Sequence, residues 1–102
     1  MISWMRPYDT EVDPFEKLAV VDYGDCFFDF GRPETVPGAI EEHATNIISQ
    51  GPGLLTLGGD HFIAWPLLKA HAKKHGKPLS LLHFDAHSDT WEDEEGRVDH
   101  GT

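Results

Sequence analysis

In the run Asp85-Ala86-His87-Ser88-Asp89, two carboxylates and an imidazole recur at every second position. Extended backbone turns positions i, i+2 and i+4 to one side, so these three groups converge where a strand gives way to a loop. Upstream, Gly58-Gly59-Asp60-His61 follows another apolar run and delivers a second imidazole at the equivalent end of a neighbouring strand. The two glycines permit tight backbone geometry there. A histidine and carboxylate set without thiolate favours hard or borderline divalent ions, and one bridging carboxylate can hold two of them. Manganese is the first choice, with cobalt, nickel and zinc as alternatives. Two ions sharing a solvent molecule would lower its pKa and furnish hydroxide near neutral pH, the nucleophile for attack on an sp² carbon. Either motif alone is weak, since a histidine is often a satisfied core residue. Together, at successive strand ends, they would otherwise crowd ionisable groups without compensation.

These residues need elements that bring them together. Residues 18–22 form a short apolar run that ends in Asp22-Tyr23-Gly24-Asp25, as a buried strand entering a turn would; Asp22 and Asp25 are read as turn residues. Thr35 or a neighbour caps a helix in which Ile40, Ala44, Ile47 and Ile48 share a face, and Gly51 stops it. Residues 54–57 are the second strand. A second helix runs from about Phe62 to His75, with Ile63, Leu67 and Ala70 or His71 on one side and Lys69, Lys73 and Lys74 left for solvent or the C-terminal dipole end. Pro66 is tolerated near the first turn, and Gly76 and Pro78 terminate the helix. Residues 79–84 are the third strand. The order β-α-β-α-β with near-continuous apolar strands predicts an α/β fold, a parallel sheet with helices on both faces. Ligands then gather beyond the carboxyl ends of the strands, where both motifs fall. His43, His71, His75 and His83 are read as surface or core histidines.

A length of 102 residues predicts one domain. Within it, residues 1–16 are expected to form an irregular arm and residues 17–102 the βαβαβ metal-binding portion. Hydrophobic residues at 39% and charged residues at 25% are an ordinary globular mixture. Eight basic residues against 18 acidic ones give a formal net charge of -10, which argues against nucleic-acid or anionic-membrane partners and suits a small cationic substrate. Cys26 is the sole cysteine, so an internal disulfide is excluded, and with no export or membrane-spanning pattern the cytoplasm is the expected compartment. Seven carboxylates between Asp85 and Asp99 face Arg97 alone; a solvated acidic loop accounts for residues 92–95, with electrostatic attraction of a cation as the alternative reading.

The segments Leu57-Gly58-Gly59-Asp60-His61, His83-Phe84-Asp85-Ala86-His87-Ser88-Asp89 and Asp99-His100-Gly101-Thr102 resemble successive motifs of the ureohydrolase (arginase and agmatinase) family, in its order and spacing. Val20-Val21-Asp22-Tyr23-Gly24-Asp25 and Pro66-Leu67-Leu68-Lys69-Ala70-His71-Ala72 are similar to the agmatinase branch. The resemblance implies the arginase-like three-layer fold and two manganese ions in a complete site. His61 and Asp89 would hold one ion, His87 the other, and Asp85 would bridge them. Asp60 would support the ligands from behind, and His100 would act near the substrate, moving a proton to the leaving amine or orienting the guanidinium. The implied reaction is hydrolysis of a guanidino compound, agmatine to putrescine and urea, in a homo-oligomeric complete protein. A guanidinobutyrase-type activity, or a non-catalytic fragment that binds partner subunits, is the alternative.

The family pattern also calls for a later Asp-x-Asp pair, a later glutamate and an amino-terminal strand, which lie outside this sequence. Four ligands do not fill two sites of roughly six positions each. The sequence is therefore expected to be a partial ureohydrolase domain, its activity dependent on further chain.

Overall fold

The structure is a computed structural model and describes residues 12–89. A single helical turn, α1 (Pro14–Lys17), opens it. Asp13 is buried and caps this turn, its Oδ1 accepting the Phe15 N–H at 2.9 Å. Pro14 at the first helical position loses no hydrogen bond there. The described end of the expected arm thus holds one helical turn; residues 1–11 lie outside the described range.

Two longer helices form the core. A 3₁₀ turn over Pro33–Thr35 leads into α2 (Val36–Ile48). Thr35 holds the cap position, but its hydroxyl donates backwards to the Arg32 carbonyl at 2.8 Å and caps no helical N–H. The buried residues of α2 are Ile40, Ala44, Ile47 and Ile48, the face the periodicity predicts. A second 3₁₀ turn, His61–Ile63, leads into α3 (Ala64–His75), which buries Pro66 and Ala70. Gly76 ends α3 in the left-handed region at φ 59°, and its N–H donates to the Ala72 carbonyl at 3.0 Å. A side chain there would meet the Cβ penalty of that conformation.

Ala44, Ile48 and Ala70 make the centre of the core, with Leu54 and Leu67 packed against it. Small residues on both helices allow close approach, and Ile48 fills the space between them with no exposed surface. Lys69 of α3 reaches Glu41 of α2 at 3.2 Å and lies over the Trp65 ring at 4.5 Å, so it ties the helices together instead of facing solvent alone.

The sheet is where structure and expectation differ. Among the described residues no strand is assigned, and no backbone hydrogen bonds join segments 18–22, 54–57 and 79–84. Val20, Val21, Leu55, Leu57, Leu81, Leu82 and Phe84 are exposed, where a covered parallel sheet would bury such side chains. α2 and α3 pack directly on each other.

Truncating Ile48 to alanine would leave a cavity in the only region where two helices interlock among the described residues. Ile48→Ala should lower the unfolding free energy of the full-length protein by about 2–5 kcal/mol, and Gly76→Ala by about 1–2 kcal/mol. Denaturant titration checks both values; an Ile48→Ala cost no larger than a surface substitution would contradict this core.

Candidate metal centre

The 3₁₀ turn before α3 presents the first donor. Asp60 caps that turn, its Oδ1 accepting the Phe62 N–H at 2.9 Å, and so fixes the backbone that carries His61. Gly58 leaves room for the Ile63 side chain, which a Cβ there would displace, whereas Gly59 has open surroundings. Asp60 accordingly acts on His61 through the backbone.

The second segment is bent, not extended. Asp85 Oδ1 accepts the His87 N–H at 2.9 Å, which closes a local turn just where strict alternation was expected. That hydrogen bond is the largest cause holding the Asp85 carboxyl below its ordinary range; partial burial opposes it, and the nearby His83, His87 and His61 imidazoles add to the lowering. Asp85 is therefore kept anionic, the form that binds a cation. Asp89 lies in the left-handed region at φ 50°, a conformation aspartate adopts more readily than most residues.

His61 Nε2 stands 2.7 Å from Asp89 Oδ2, so the two motif segments meet. His83 Nε2 lies 3.8 Å from both Asp85 Oδ2 and Asp89 Oδ2, and its ring stacks on His61 with centroids 5.9 Å apart. Donor atoms of His61, His83 and Asp89 all fall within 4.8 Å of one another. His87 does not join them: its side chain is 82% exposed, and its Nδ1 lies 3.4 Å from Asp85 Oδ1. The Asp85 carboxylate thus offers one oxygen towards His83 and the other towards His87.

Of the predicted site residues, the structure brings His61, Asp85 and Asp89 into one neighbourhood and leaves His87 at its edge. His100 lies outside the described residues. His83, read as a surface or core histidine, is instead central. The signal was available: His83, Asp85, His87 and Asp89 occupy alternate positions, so the alternation begins one step before Asp85. The expected turn role of Asp22 is seen in its Oδ1, which accepts the Gly24 N–H at 2.9 Å.

These donors suit a divalent cation. They are imidazole nitrogens and carboxylate oxygens, and the His61–Asp89 contact at 2.7 Å, a hydrogen-bond distance, is a little shorter than the spacing of about 3 Å between adjacent ligands on one ion with bonds of about 2.1 Å.

The Arginase family model matches residues 1–102. The chain belongs to the arginase family. Members similar to it include an agmatinase from Chromobacterium violaceum, 57% identical over 102 residues, covering 99% of this chain and 32% of the relative. An agmatinase from Neisseria meningitidis serogroup C is 46% identical over 102 residues, with 99% and 33% covered. Among solved structures, a hypothetical agmatinase from Burkholderia thailandensis superposes with a TM-score of 0.86 at 56% identity, over 96% of this chain and 31% of that one. This arginase-family chain therefore shares its fold with that structure and spans about a third of the length of the relatives it matches.

Asp60→Ala should cost about 1 kcal/mol of stability by uncapping the turn, while Asp60→Asn, which keeps the acceptor, should cost little. Thermal unfolding of both variants in the full-length protein checks the cap; equal losses would contradict it.

Proposed function

We propose that this chain supplies part of a binuclear manganese centre that hydrolyses a guanidino compound, with agmatine converted to putrescine and urea. The observation that carries the reading is the meeting of His61 with Asp89 across two segments that each end in a family motif. The relatives' name, agmatinase, supports agmatine as substrate. Residues 17–102 are read as the metal-binding portion of one domain, with segments 18–22, 54–57 and 79–84 as neighbouring parallel strands in the complete protein.

His61 and Asp89 would hold one ion, His87 the second, and Asp85 both, through the two oxygens that already face different imidazoles. Bound there, the ions would supply Lewis acidity and an activated water. Asp85 arrives as a carboxylate because the His87 N–H stabilises its charge. Asp60 keeps the His61 backbone in place through the capped turn. His100 is assigned the substrate side, holding the guanidinium or passing a proton to the departing amine nitrogen. A net charge of -10 favours the approach of a cationic substrate and disfavours anionic polymers. No helix among the described residues is long and apolar enough to cross a membrane. A cytoplasmic homo-oligomer is the proposed setting.

The test is manganese loading and urea release by the full-length protein. About two manganese ions per chain should bind, and urea should appear from agmatine faster than from guanidinobutyrate. His61→Ala should lose manganese and abolish urea formation. A well-folded protein that binds no manganese, or a His61→Ala variant with unchanged turnover, would overturn the reading.

A further inference from the structure

His83 adjoins candidate ligands from both segments. Its Nε2 is equidistant, at 3.8 Å, from Asp85 Oδ2 and Asp89 Oδ2. Its ring lies against the His61 ring, with 20° between the planes. Three candidate ligands from two separate segments therefore share this one neighbour. The imidazole side chain is about two-thirds shielded, with 32% exposed, while His87, two turns of the alternation away from a shared role with it, is 82% exposed.

We propose that His83 is a positioning residue of the metal centre: its Nε2 edge orients the Asp85 and Asp89 carboxylates, and its face fixes the plane of the His61 ring. The proposal rests on the metal-centre reading above. Side chains that ligate a metal need their remaining atoms held by outer partners, since a carboxylate or imidazole free to rotate spends binding free energy on being ordered. A distance of 3.8 Å exceeds a direct hydrogen bond, so His83 acts on each carboxylate through a small ring adjustment or one bridging water, in contact with both and tied to neither alone. The stack on His61 adds a constraint that no carboxylate can supply, because it restricts rotation of the ring about its own bonds.

The experiment measures manganese affinity of the full-length protein by titration with electron paramagnetic resonance of free Mn(II), alongside the absorption spectrum of the cobalt-substituted form. Wild type, His83→Ala and His83→Gln are compared, with circular dichroism confirming that each is folded. Glutamine is included because its amide N–H can stand near the place of Nε2. Loss of an outer partner should weaken metal binding by about 10–100-fold in His83→Ala, with substantial rescue in His83→Gln. The cobalt spectrum of both loaded variants should match wild type, since the ions keep their ligands. Unchanged affinity in His83→Ala would overturn the positioning role while leaving the metal centre intact. A cobalt spectrum altered in both variants, without rescue by glutamine, would overturn it in favour of direct ligation. Failure of wild type itself to bind manganese would overturn this proposal together with the reading on which it rests.

Discussion

His61 and Asp89 are distant in sequence, yet their side chains meet at 2.7 Å, and the candidate site depends on that contact. Neither segment can make a cation pocket alone. The first supplies one imidazole and an aspartate already engaged in capping; the second supplies carboxylates, of which Asp85 has its charge stabilised by neighbouring imidazoles from both segments. Convergence converts two weak donor sets into one that can bind a divalent ion. Every other feature of the described chain bears on how that convergence is held.

The helices hold it from behind. The 3₁₀ turn carrying His61 runs without interruption into α3, so the position of the imidazole is set by where α3 packs. Ala70 fixes that packing by letting α3 approach Ala44 and Ile48 of α2, and the Lys69–Glu41 pair adds an attraction across the same interface. The pair is partly exposed and contributes little beside the apolar contact. Leu54 packs against the helices, whereas Val20, Val21, Leu55, Leu57, Leu81, Leu82 and Phe84 are exposed, and no strand ladder is formed among the described residues.

Much of the helical scaffold was legible. Four apolar residues at helical spacing marked the buried face of α2, and Gly76 marked the end of α3. The two motif segments were also legible as neighbours, since His61 and Asp89 meet across them. Less legible were the features set by three-dimensional context. Alternation predicted that His87 would share one side with Asp85 and Asp89, but the Asp85 carboxylate took the His87 N–H and bent the chain, sending the imidazole outward. The same alternation, begun at position 83, would have found His83, which lies before the bend. The apolar runs of segments 18–22, 54–57 and 79–84 report a need for burial and not which neighbour provides it.

Crystals of the full-length protein grown with manganese, measured at the manganese absorption edge, would test the shared pocket most directly. An anomalous peak is expected within about 2.0–2.3 Å of both a His61 nitrogen and an Asp89 oxygen. A manganese ion bound elsewhere, with His61 and Asp89 holding no common ion, would contradict it.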